Sequence, residues 1–387
     1  MHGASVGETL EAKAVLEALR ELRPDLQAVY TFFSPSAAVG ARTLPADVVG
    51  YLPWDVRSEL GRLLEVVRPN VVAFTQKEVW PGLTSAATER GIPVVLFAAR
   101  LAPGARRLRP LARRFLRPTF ASLGSVLAIA DADTPRFREL GVGPDRLRIT
   151  GDPGVDSAWE RLRAADPRSA HLRPFADHPL PILVAGSTWP SDEEVLVPAL
   201  AGLRAAGGET DGGLPLTVIL APHEPTEAHL DAVEARFARA GIPTIRLAEV
   251  EAAGRVEAGT AVVVDRVGAL AHLYTMGSLA YVGGGFHDAG LHSVLEPAAA
   301  GLPVLFGPRH QSSHGALDLL AAGGARSVAG DGELAAVLRT WSSEAAIRES
   351  IGRKAQGYVE RQRGAARRTA EALAHFLTAH EVSPRGS

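Results

Sequence analysis

Short apolar runs recur along this chain at Gln27–Phe33, Val48–Leu52, Asn70–Thr75, Val94–Ala98, Ser125–Ala130 and Arg148–Gly151, and again at Ile182–Ala185, Leu216–Ala221, Thr244–Leu247, Ala261–Val264, Ser278–Val282 and Leu302–Phe306. Each is of strand length, and most intervals between them hold a helix-length segment, the connection that parallel strands need and hairpins do not. Crossovers of this kind predict a parallel α/β sheet with helices on both faces. The pattern stops and restarts. Gly151 to Leu180 is rich in proline and glycine and has no sustained period, which places a linker there. Two such series predict two Rossmann-like domains, at 1–160 and 175–345, with helices over 346–387 packing back on the first.

A length of 387 residues supports two cores of ordinary size. With 46% hydrophobic and 22% charged residues the composition is that of a globular chain. A net charge of -2 speaks against a nucleic-acid binder, which needs a basic surface to neutralise phosphates. The absence of cysteine excludes disulfides, thiolate nucleophiles and cysteine-zinc sites. No apolar run reaches the roughly 18 residues that would span a bilayer. From Ser343 onward the pattern is helical, and Pro384–Ser387 reads as a frayed end.

Polar residues gather at the ends of the predicted strands, where open α/β sheets bind ligands. Tyr281–Pro308 is the richest of these stretches. A strand ends at Val282, Gly283, Gly284 and Gly285 form a turn, and Ser293–Ala300 reads as a helix carrying Glu296 in its first turn. Such a turn either admits an anion to backbone N–H groups or serves packing alone. Glu296 either grips the hydroxyls of a ribose or is an ordinary acid near a helix start.

At the other end of the chain, MHGASVGE precedes an amphipathic helix with Leu10, Val15, Leu19 and Leu22 on one face. Glu8 at that junction is either a projecting catalytic acid or a dipole-favoured one. Only Met1 and His2 precede this functional loop, so the first strand of the domain is expected to be truncated. Arg106, Arg107, Arg109, Arg113, Arg114 and Arg117 alternate with leucines and Phe115, a pattern suited to an anionic membrane surface or to a solvated helix face. Asp131 and Asp133 make a lone acidic pair that either chelates a cation or caps a loop. No histidine pair stands at helical metal spacing beside a third ligand.

Taken in order, HGASVGE, YLPWD from Tyr51, KEVWPGL from Lys77, AARL from Ala98, GSTWPSDEE from Gly186, APHEPTE from Ala221 and the Tyr281–Pro308 stretch resemble the 3-deoxy-D-manno-octulosonic acid (Kdo) transferases. The resemblance covers nearly the whole chain. It implies a GT-B architecture, two Rossmann-like domains facing a cleft, with the donor on the second and the acceptor on the first. The implied reaction moves Kdo from CMP-Kdo to a lipid A precursor with inversion, in lipopolysaccharide synthesis. It takes place on the cytoplasmic face of the inner membrane, with neither metal nor cofactor. Glu8 is then the general base. The CMP moiety contacts Pro222 and His223, the segment Val267, Gly268 and Ala269, and the segment Ser293, Val294, Leu295 and Glu296.

The chain departs from the family pattern at several of these places. Gln76 stands where an acid is usual and Gly154 where a lysine or arginine is. His223 replaces a frequent arginine, Ser293 an asparagine, and Val267 and Ala269 a methionine and a glutamate. Two other readings compete: another GT-B enzyme such as a UDP-sugar epimerase, and a catalytically silent nucleotide-sugar binder.

Overall fold

The computed structural model describes residues 1–35, 37–206 and 214–378; the predicted frayed end at Pro384–Ser387 lies outside them. The chain divides into two compact units, Met1–Ser157 with Gln362–Ser387, and Ala158–Arg361. The return to the first unit thus falls at Gln362, later than the division at 346 expected from the sequence. There Asp156 accepts from the backbone N–H groups of Gly364 and Ala366, at 2.7 Å each.

In the first unit the strands are β1 (Val29–Phe32), β2 (Val48–Tyr51), β3 (Val72–Thr75), β4 (Val94–Ala99), β5 (Ser125–Ala128) and β6 (Leu147–Ile149). β1 pairs with β2, and β3 to β6 form a second parallel series in order. Met1–Gly3 joins the two. His2 bridges Thr31 on one side and Phe74 on the other, and its N–H donates to Ala73 while its carbonyl accepts from Thr75. The central position of the sheet is therefore filled over three residues. Beyond them, beside Gln27–Val29 and Val71–Ala73, lies a cavity of about 380 Å³.

Side chains on the buried strands alternate between two faces, as a period of two requires. Ala73, Val95 and Phe97 point into a core with Ala12, Val15, Leu16 and Leu19 of α1 (Val6–Leu22) and Leu373. Val72, Phe74, Val94 and Leu96 point into the other, with Leu60, Leu64 and Phe137. Leu16 is fully enclosed, so trimming it to alanine costs about 3 kcal/mol through the cavity left behind.

The second unit has β7 (Ile182–Thr188), β8 (Thr217–Pro222), β9 (Thr244–Arg246), β10 (Ala261–Val263), β11 (Leu279–Val282), β12 (Val304–Phe306) and β13 (Ala325–Ser327). All are parallel in the order β13-β12-β11-β7-β8-β10-β9. The winding reverses beside β7, which has β8 on one side and β11 on the other. Ligands of doubly wound sheets bind outside the carboxyl ends of strands at such a reversal.

Candidate active site

In the first unit Ser5 caps α1, its hydroxyl accepting from the N–H of Glu8 at 3.4 Å. Glu8 therefore sits in the first helical turn, a few residues after the bridging segment Met1–Gly3, and is only 3% exposed. Its Oε2 accepts from the N–H of Ala4 at 2.5 Å. Burial pushes its carboxyl above the ordinary range, and Glu78 adds to this; the Ala4 N–H and Lys77 oppose it.

One turn further along α1 stands Glu11, an acid that sequence reading passed over. Its Oε1 accepts from Gln76 Nε2 at 2.8 Å and from Arg100 at 2.9 Å. Arg100 also faces Asp152 at 3.7 Å. Burial pushes Glu11 up to about 8 against the pull of Arg100, and its Oε2 has no hydrogen-bond partner among the described residues. Gln76 itself directly follows β3 and has φ of 60°, a left-handed conformation that costs a non-glycine residue about 1 kcal/mol and is concentrated at functional sites. The signal for Glu11 was in the sequence: it lies three residues after Glu8 and four before Val15, on the apolar face of α1.

In the second unit the glycine turn, left open between anion binding and packing by the sequence, is built on close packing. A Cβ on Gly283 would meet the Ser187 carbonyl at 2.2 Å, and one on Gly285 would meet Gly307 N at 2.3 Å, so the glycines let three strand ends close together. The N–H of Gly283 donates to Gly186, and those of Gly284 and Phe286 donate to Asp192. Those donors are occupied, and packing is the reading the turn supports. Asp192 also accepts from the N–H of Trp189 at 3.0 Å and from the Tyr281 hydroxyl at 3.0 Å. It is the buried pin of the turn, on the helix Pro190–Ala206.

The helix after the turn spans only Leu295–Ala299, because Pro297 and Gly301 permit little more. Ser293 lies before it, exposed, its hydroxyl accepting from the N–H of Leu295 at 3.4 Å. Val294 and Leu295 are buried, so they can offer a ligand backbone but not side chain. Glu296 is 8% exposed and pairs with Arg161 at 2.5 Å, while burial pushes its carboxyl upward. A ribose held by Glu296 would thus share it with a cation. Pro222 closes β8, Gly268 has φ of 95°, and Val267 is 75% exposed beside buried Ala269. All the residues expected at the nucleotide lie at carboxyl ends of strands in this unit.

His223 belongs to an aromatic group not anticipated from the sequence. The Trp189 ring stacks on His287 with centroids 4.2 Å apart and lies 4.6 Å from His223, which in turn lies 4.4 Å from His292. Trp189 Nε1 is 3.0 Å from His292 Nε2. An indole N–H only donates, so His292 must accept there and be neutral. Burial lowers His292 to about 4, with His223 and His287 adding to the effect, and burial also lowers His223. The acidic pair at residues 131 and 133 is structural: Asp133 is enclosed and accepts from Leu101 N–H and from Arg136.

Residues 1–157 match the family model of 3-deoxy-D-manno-octulosonic-acid transferase (kdotransferase). Over 97% of its length the chain is 29% identical to a 3-deoxy-D-manno-octulosonic acid transferase of Bordetella pertussis, of which it covers 87%. The chain is similar to the Kdo transferases over nearly its whole length. Relatives named as such are glycosyltransferases. Among solved structures, a UDP-GlcNAc 2-epimerase from Neisseria meningitidis has a TM-score of 0.65 at 13% identity, covering 98% of each chain. MurG from Acinetobacter baumannii has a TM-score of 0.60 at 17% identity, covering 97% of this chain and 98% of its own. Identities this low speak for the fold alone, which is that of GT-B enzymes with two Rossmann-like units. The region that matches the Kdo-transferase model contains Glu8, Glu11, Gln76 and Arg100.

Proposed function

We propose that the protein is an inverting glycosyltransferase that moves Kdo from CMP-Kdo to a sugar hydroxyl of a lipid A precursor. The observation that carries this is the buried Glu8 carboxyl, held by the Ala4 N–H at the start of the Ser5-capped α1, within the segment that matches the Kdo-transferase model. A sugar hydroxyl is a weak nucleophile, so a carboxylate within reach takes its proton as the new bond to the anomeric carbon forms. The bond from that carbon to the CMP oxygen breaks through an oxocarbenium-like state, and CMP leaves from the opposite face. Glu8 is that base, and its raised affinity for protons suits the task.

The CMP is held by the strand ends of the second unit: backbone at Pro222 and at Val267–Ala269, His223, Ser293, the backbone of Val294 and Leu295, and Glu296 at the ribose. The enzyme works peripherally on the anionic cytoplasmic face of the inner membrane. The helix Pro110–Ala121 supports this, since Leu111 and Phe115 are 73% and 78% exposed, one turn apart. Arg107 and Arg113 face Glu78 and Glu139, whereas Arg106, Arg109, Arg114 and Arg117 have no ion-pair partner among the described residues. Exposed apolar residues beside free cations suit a lipid interface.

Incubation with CMP-Kdo and a lipid A precursor is expected to release CMP and yield a Kdo-bearing lipid. Epimerisation of UDP-GlcNAc without CMP release would favour the epimerase reading, and neither reaction would favour the silent binder.

A further inference from the structure

Glu8 and Glu11 are three residues apart on the buried face of α1, a spacing that brings side chains together. The charges facing this pair are few. Lys77 and Glu78 face Glu8, Arg100 and Asp152 face Glu11, and the Tyr30 hydroxyl, bonded to Thr9, faces both acids. Arg100 is divided between Glu11 and Asp152. Two neighbouring buried carboxylates do not both ionise easily when they share so little positive charge.

The bonding of Glu11 has the asymmetry of a neutral acid. One oxygen receives both donors, as a carbonyl oxygen does, and the other receives none although it is enclosed. An ionised group in this place would leave one charged oxygen buried without a donor, an expensive arrangement.

We propose that Glu11 is a positioning residue of the site, kept as the neutral acid so that Glu8 alone carries negative charge while Arg100 and Gln76 stay aligned. This rests on the reading of Glu8 as the base. A value of about 8 for Glu11 fits the proposal, since the neutral form then prevails at pH 7. Ionisation above that pH places a second charge one turn from Glu8 and tightens the hold on Arg100, so transfer falls on the alkaline side.

Two measurements test this with the full chain. The first is unfolding across pH 5 to 8, for the wild type and Glu11→Gln. The folded state keeps a proton on Glu11 that the unfolded chain loses near its ordinary carboxyl value, so raising the pH favours unfolding of the wild type. Relative to Glu11→Gln, the wild-type folding constant is expected to fall by at least about tenfold over this range. Parallel pH dependence in the two proteins would overturn the proposal even with the activity intact.

The second is kcat against pH, read by CMP release. The wild type is expected to lose rate as Glu11 ionises, Glu11→Gln to lack that alkaline fall, and Glu11→Ala to lose about tenfold at every pH because Arg100 and Gln76 lose their acceptor. An alkaline fall that persists in Glu11→Gln would overturn the positioning role. A wild type that releases no CMP would overturn the proposed activity and this role with it, whatever the unfolding curves show.

Discussion

The two units carry buried acids near the carboxyl ends of parallel strands and supply them unequally with donors. In the second unit Asp192 accepts four donors and fixes a glycine turn, and Glu296 is matched by Arg161. In the first, the Glu8 carboxyl accepts the Ala4 N–H and Glu11 has one oxygen without a hydrogen-bond partner among the described residues; both, like Glu296, are held above their ordinary carboxyl range. An acid whose oxygens are occupied by donors is a fixed part of the framework. One that lacks them is unstable as an anion and takes up protons readily, which is the property a base needs. Function is thus to be sought in the first unit's acids, and architecture and ligand holding in the second's.

The sharpest way to break this contrast is Glu8→Gln. It is expected to lower kcat by about 10³, within the range of a lost general base, and to leave CMP affinity within about twofold as read by calorimetry. Its stability is expected to stay level or rise, because a buried anion has been removed. Asp192→Ala should do the reverse. It strands the Tyr281 hydroxyl and the N–H groups of Trp189, Gly284 and Phe286, and is expected to cost about 3 kcal/mol in urea unfolding. A silent Asp192→Ala would show that the second unit's acids are not structural.

Glu296→Ala sharpens the contrast within the second unit: loss of one charged ribose contact is expected to weaken CMP binding about tenfold, and equal affinity would remove Glu296 from the nucleotide site. The smallest effect concerns the histidines. His292 is neutral in the fold with its value lowered to about 4, while the unfolded chain binds a proton near 6.5. Its contribution to stability is present above 6.5 and is lost as the pH falls toward 4. Since the ring is partly exposed, His292→Gln is expected to reduce acid destabilisation over this window by about 1 kcal/mol.

The strands were legible because a parallel strand buried on both faces writes itself as a continuous apolar run. Every run from Gln27 to Phe306 overlaps a strand, and among the described residues only β13, Ala325–Ser327, half-buried at the sheet edge, escaped notice. Glu8 was singled out by its position before an amphipathic helix. Glu11 was not, because an acid on an apolar face reads as an interruption until Gln76 and Arg100, distant in sequence, close on it. The glycine turn stayed open between two readings for a related reason. Its need for glycine comes from Ser187 and Gly307 on other strands, and the carboxylate that takes its N–H groups comes from Asp192, far upstream in the chain. Contacts between distant segments decide which of two local readings holds.

The acid limb of kcat against pH in the wild type, with CMP-Kdo and a lipid A precursor at saturation, bears most directly on the claim that a buried Glu8 takes the acceptor's proton. The rate is expected to rise with pH through an ionisation lying above the ordinary carboxyl range, and this limb should be absent from the residual rate of Glu8→Gln. A wild-type rate that does not change across that range, or a Glu8→Gln variant with the wild-type limb, would contradict it.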